Sequence, residues 1–179
     1  TTWQPYAQGG RWVYTDSGWY WQSSYSWGWA AFHYGNWYRS PACGWVWVPG
    51  YTWAPAWVTW RYTDDYCGWA PLPPGCGWNT GVGLTYYGAG VSVGFSFGLG
   101  YDCFTFVSYR NFCDPHPYRH CLPRQEMRRA YDHSVVHNEY DHRNNSVVNR
   151  GIAPSRISAV TRSEIRKVFT TRLWWGMAL

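Results

Sequence analysis

Tryptophan recurs in this chain at a near-constant interval: Trp12 is answered by Trp37, Trp19 by Trp45, Trp21 by Trp47 and Trp27 by Trp53, each 25 or 26 residues on. Such a period calls for consecutive copies of one supersecondary unit. Each copy over about residues 10–73 reads as a Gly-aromatic strand, a polar turn, a Gly-Trp-x-Trp strand and a Trp-rich return. The first is RWVYTD, GWYWQ and WGWAAFHY; the second is NWYRS, GWVWV and TWAPAWVTWR. A degenerate third copy enters at Cys67-Gly68-Trp69-Ala70-Pro71. Strands this short, with turn residues between them, predict a mainly β fold built as an antiparallel meander.

The clearest strand and turn lie at Gly44–Trp60. Trp45 and Trp47 point one way and Val46 and Val48 the other, because side chains alternate along a strand. Pro49 and Gly50 then interrupt it. In the first copy Trp12, Tyr14, Trp19 and Trp21 share a face opposite Val13 and Tyr20. Both faces are apolar, so the sheet needs two covers: a second sheet, a neighbouring subunit or a ligand.

Residues 74–122 form a Gly- and Cys-rich part that completes an expected domain 1–122. In GVSVGFSFGLG, Val91, Val93, Phe95, Phe97 and Leu99 alternate with Gly and Ser, which predicts a strand. Residues 123–179 are expected to be an extended arm. A short helix is predicted over 124–131 behind Pro123, two short strands at the Ser-Val-Val triplets, and a second helix over 162–170 behind the Thr161/Glu164 capping box. Val135, Val136, Val147, Val148, Trp174 and Trp175 are the anchors by which such an arm would dock on a neighbour.

Aromatic residues make up 22% of the chain and charged residues 14%, well below the usual charged share of about 25%, and this leaves a surface poorly insulated against association. Residues 1–101 hold Arg11, Arg39 and Arg61 against Asp16, Asp64 and Asp65, so the net charge of +5 lies in the remainder. Acids alternate with Arg there and Lys167 is the single lysine, which argues against a nucleic-acid arm. No apolar run is long enough for a transmembrane helix.

The six cysteines, Cys43, Cys67, Cys76, Cys103, Cys113 and Cys121, are even in number and lack a CxxC pair. Together with a first residue that is Thr instead of Met, they lead us to expect a processed, exported protein with up to three disulfides. Cys67 and Cys76 bracket a Pro-rich loop that could close on itself. Cys113, His116, His120 and Cys121 have the donor types of a zinc site, yet adjacent His120 and Cys121 ligate together poorly, and a disulfide with exposed histidines is the favoured reading. No metal and no cofactor is expected. The Tyr-Asp-His triplets at Tyr131 and Tyr140 come without a GxSxG or HExxH motif, so enzymatic activity is not expected. Trp19, Trp21, Trp45 and Trp47 are candidates for stacking on sugar faces, although so many rings at one spacing favour an interdigitated core.

The combined motifs resemble those of a domain-of-unknown-function family of exported, tryptophan-rich bacterial proteins. The matching stretches are GRWVYT at Gly10–Thr15, WGWAAFHYGNW at Trp27–Trp37, GWVWVPG at Gly44–Gly50, APAWVTW at Ala54–Trp60, GWAPLPP at Gly68–Pro74 and VVNRGI at Val147–Ile152. The resemblance covers about residues 10–74 and 133–168. Ala31 stands where proline is usual, and Cys103–Cys121 lies outside the pattern. The resemblance implies export to the periplasm, cell envelope or extracellular space, and it carries no catalytic residues. The expected function is a structural protein that self-assembles or serves as an accessory subunit of a larger envelope complex, its arm docked on a neighbour. A carbohydrate- or peptidoglycan-binding module is the alternative.

Overall fold

The computed structural model describes residues 3–143 and 146–157 of the chain. It is mainly β. The first repeat is a hairpin of β1 (Gly10–Thr15) and β2 (Gly18–Ser23), followed by the one-turn helix α1 (Gly28–Ala31). The second repeat is a hairpin of β3 (Tyr34–Ser40) and β4 (Gly44–Trp53). Next come β5 (Val58–Tyr62), β6 (Tyr66–Pro71), β7 (Cys76–Asn79), β8 (Gly83–Tyr86), β9 (Ala89–Gly90) and β10 (Thr105–Ser108). The remaining elements are α2 (Arg124–Asp132), β11 (Val135–Val136), β12 (Tyr140–Arg143) and β13 (Ser146–Asn149).

The repeat is real at the level of pairing. Trp12 faces Trp21 across β1–β2, and its counterpart Trp37 faces Trp47 across β3–β4. The first hairpin turns on Asp16 and Ser17, where the Thr15 hydroxyl accepts from Ser17 N–H at 3.2 Å and donates to Gly18 O at 3.0 Å. Gly18 has φ +82°, and a Cβ there would run into the backbone carbonyl of Asn149. Only glycine lets β2 approach β13 this closely.

Four-stranded sheets follow the orders β1-β2-β13-β12 and β10-β6-β5-β11. The pairing of β13 with β2 is parallel and rests on Asn149 opposite Gly18. Trp12, Trp19 and Trp21 of the first sheet meet Trp60 and Trp69 of the second, all buried, with Tyr6, Phe112 and Ile152 among them. Trp12 stacks between Tyr6 and Phe112, centroids 6.1 and 5.9 Å away, and meets Trp21 and Trp69 edge-on. Stacked and edge-to-face contacts are the arrangements the ring quadrupole favours. A second cluster gathers Trp57, Leu72, Leu84, Phe97 and Val147, and a third holds Ala70, Phe104, Phe106 and Ala130.

Two expectations need correction. Residues 91–100 form no strand: a Gly/Ser row offers a ladder no side chains to pack. Their carbonyls bond elsewhere, Val93 O to Asn138 N–H at 2.7 Å, Phe95 O to the Asn138 amide at 2.8 Å and Leu99 O to the Tyr131 hydroxyl at 2.7 Å. The alternation survives as packing, with Phe97 buried and Val91, Phe95 and Leu99 half-buried.

The described part of the expected arm is body instead of arm. The helix over 124–131 forms as α2 and both Val-Val strands form, but β11 pairs with β5 and β13 joins β12 to β2. Val147 and Val148 are buried within the same chain, while Val135 alone of the four valines is exposed. The physical reason is that both apolar faces of the first hairpin find cover in cis, Trp19 from Ile152 and Tyr20 from the His33 ring stacked 4.6 Å away. Strands on both sides of residue 122 are thus hydrogen-bonded to one another. The helix expected over 162–170 and the anchors Trp174 and Trp175 lie outside the described residues.

Candidate functional site

The two repeats share a sequence and differ in their cover. In the first, Trp12, Trp19 and Trp21 are wholly buried. In the second, Trp37 is buried but Trp45 and Trp47 are only half-buried. Of the four sugar-stacking candidates, Trp19 and Trp21 are therefore excluded, since neither presents a face to solvent. Exposed rings are Trp27 and Trp29 between the two hairpins and Tyr38 and Tyr51 on the second, with Trp29 70% exposed and Tyr51 fully so. Tyr25 and Trp27 lie parallel with centroids 4.6 Å apart.

Beside this aromatic surface opens a cleft of about 650 Å³, lined by Trp3, Arg39, Ser40, Pro41, Cys43, Gly44, Trp45, Asp102 and Cys103. Three segments build it. The β3–β4 turn supplies Arg39 to Trp45, a 3₁₀ turn at Tyr101–Cys103 supplies Asp102, and the N-terminal segment supplies Trp3. Gln4 ties the last two together by donating to Cys103 O at 2.8 Å. Arg39 Nη1 bonds Asp102 Oδ2 at 3.1 Å across the opening, with both side chains about half exposed. Trp3 donates to the Tyr25 hydroxyl at 3.0 Å and leans on Trp37 at 5.4 Å, which fixes its ring.

The cleft offers flat apolar rings, a guanidinium, a carboxylate and a hydroxyl. It has one carboxylate, already paired with Arg39, so the two-carboxylate arrangement of acid–base hydrolysis is not assembled in its lining. Burial, and then the neighbouring Asp102 carboxylate, push the Cys103 thiol up and disfavour the thiolate a nucleophile requires.

The six cysteines form no disulfide in the structure. Cys67 and Cys76 do not close their loop, because Cys67 faces the larger core from β6 while Cys76 packs on the second cluster. Cys113 and Cys121 pack against the core that holds Cys67. Burial pushes the Cys67 thiol up, and the nearby Cys113 adds to this. The Cys121 thiol is pushed up to about 11 by burial.

The sequence-stretch Cys113–Cys121 is not drawn into a metal centre. His120 Nε2 pairs with Asp114 at 3.2 Å and the Cys121 thiol points to Pro117 O. No group of three or more His, Cys, Asp or Glu placed to share a metal ion occurs among the described residues. Asp114 is held below the usual carboxylate range by the His116 N–H and then by His120. The Tyr-Asp-His triplets come apart too: Tyr140 enters the core, His142 stacks on Trp78, and Asp141 bonds Arg150 at 2.6 Å.

Sequence reasoning missed Trp3, Arg39 and Asp102 as members of a site. A signal was present in Arg39, one of only three arginines in residues 1–101 and set at the turn of the better-exposed repeat.

The fold defines a class: a mainly β, tryptophan-cored protein with an aromatic, polar-rimmed cleft. Within it, residues 1–76 match the family described as a family of unknown function, DUF6600. No curated protein and no solved structure matches the chain. The matched residues cover both hairpins, β5 and β6, whereas β10, α2 and β13 lie beyond them.

Proposed function

We propose that this chain is a non-catalytic structural protein of the periplasm, cell envelope or extracellular space that associates with other protein subunits, foremost copies of itself. The carrying observation is the uneven cover of the repeat. The first hairpin is closed by β13 and Ile152 of its own chain, while the second leaves Trp45 and Trp47 half-open on one face and Tyr38 exposed on the other, with Trp29 and Tyr51 exposed as well. Exposed rings of this size around one hairpin of a charge-poor chain favour burial against a partner. With residues 124–143 and 146–157 engaged in cis, the docking surface offered by the described residues is the second hairpin.

Native mass spectrometry and light scattering on the full chain test this. Assemblies above the 20.9 kDa monomer are expected, and Trp29→Ser with Tyr51→Ser is expected to dissociate them. A monomer at every concentration overturns it.

In an oxidising compartment the best-supported cross-link joins Cys67 to Cys113, since both pack on one core and Cys113 lies near enough to push the Cys67 thiol up further. Exchange with the disulfide of a thiol–disulfide oxidase would balance the step: two protein thiols become one disulfide and the oxidase leaves with two thiols. A non-reducing peptide map should recover this pair; Cys67 found paired elsewhere refutes it. Binding of a glycan, peptidoglycan included, is the second reading, favoured by the cleft beside Trp45.

A further inference from the structure

The repeat provides its own control for the cleft. In the first copy the Trp19 indole N–H donates to Ile152 O at 2.8 Å. Its counterpart Trp45 has no hydrogen-bond acceptor among the described residues and lines the cleft with Ser40, Arg39 and Asp102. Among the described residues, nothing supplies to the second repeat what chain 146–152 supplies to the first, and polar groups stand at the rim of the cleft there.

We infer that the cleft between Trp3, Trp45 and the Arg39–Asp102 pair is a binding site for an uncharged oligosaccharide, a neutral or N-acetylated hexose chain. This rests on the glycan reading above and names its site. An indole covers the apolar C–H face of a pyranose ring while neighbouring polar side chains take its hydroxyls. Here Trp3 and Trp45 supply the indoles. Arg39 uses one nitrogen on Asp102 and keeps donors for hydroxyl oxygens, while the second Asp102 oxygen accepts from hydroxyl protons.

Several features select this ligand class. The ion pair neutralises itself, so neither an anionic nor a cationic ligand is favoured. The volume of about 650 Å³ lies within the range of roughly 300 to 1,000 Å³ that small-ligand sites occupy. The opening is broad, which suits a chain that enters and leaves instead of an enclosed monosaccharide. The walls are also held in place before binding: Trp3 is fixed by Tyr25 and Trp37, and Gln4 links the N-terminal segment to Cys103. A pre-formed wall spares the ligand the cost of ordering it.

The experiment is isothermal titration of the full chain with chitotetraose and with cellotetraose, followed by tryptophan fluorescence, on wild type, Arg39→Ala, Asp102→Asn and Trp45→Ala. The first two variants alter half-exposed side chains outside the core, so they keep the inference testable if Trp45→Ala folds poorly; circular dichroism checks each. Binding of one tetramer by wild type, weakened at least tenfold by Arg39→Ala and by Asp102→Asn, supports the site. Binding that both variants leave unchanged overturns this site while glycan binding elsewhere stands. No binding of either tetramer up to millimolar concentration overturns both.

Discussion

Asn149 shows how much one residue can organise. It is wholly buried; its Oδ1 accepts from Trp60 Nε1 at 2.8 Å and its amide donates to Ala56 O and the Tyr140 hydroxyl, both at 3.1 Å. Tyr140 in turn accepts from Val58 N–H at 3.0 Å and reaches Val58 O at 2.8 Å. A fully satisfied buried network of this kind specifies one packing. Asn149→Ala strands these partners, and we expect it to destabilise by roughly 2 to 4 kcal/mol, read as a lowered denaturation midpoint; an unchanged midpoint counts against the network's role. The thiols also rank by position. Cys43 is exposed and Cys67 wholly buried, so iodoacetamide on the reduced native protein should modify Cys43 first and Cys67 last, and mass spectrometry reads the order.

At the scale of elements, the strands legible in the sequence were those with a periodic signal. The Gly-Trp-x-Trp segments became β2 and β4, the Ser-Val-Val triplets became β11 and β13, and the Pro-led run became α2. Partners were not legible. Nothing in SVVN tells that its Asn149 will meet Gly18, because that contact depends on a missing Cβ far along the chain. The cleft escaped notice for the same reason: Trp3, Arg39 and Asp102 become neighbours only through tertiary pairing. Arg61 explains why α2 stays attached. Its guanidinium lies 4.0 Å over the Tyr131 ring and donates to Ser134 Oγ at 3.1 Å, a desolvated cation–π contact that secures the helix end. A chain truncated after Leu122 loses β11 and β13, the edge and the bridge of the two four-stranded sheets. It should lose near-ultraviolet dichroism from its tryptophans; a truncated chain with the native spectrum would support a boundary at 122.

For the whole molecule, pH sensitivity lies on the alkaline side. Tyr6 and Tyr140 are held neutral in the interior, their pKa values raised chiefly by burial, as are those of the Cys67 and Cys76 thiols. Each group ionises at its ordinary value when the chain unfolds and later when folded. Their contribution to stability is therefore intact below the unfolded thiol value of 9.0 and is lost as pH climbs from there through the tyrosine value of 10.0 towards the raised folded values. Melting temperature should fall steadily between those values and beyond; a flat profile up to pH 11 refutes this. On the acid side Asp141 is depressed by Arg150 and Asp114 by the His116 N–H, but both pairs are solvent-exposed, so screening leaves only a slight loss as pH drops through their folded values.

The Trp19–Ile152 hydrogen bond spans 133 positions of sequence. Strands β1 and β2 are synthesised well before the segment at 146–152, and the Trp19 indole lacks its acceptor until that segment has followed. Assembly is thus dominated by distant contacts, a topology associated with slow folding and with sticky intermediates. A half-made chain would present several naked indoles at once, a state prone to aggregation.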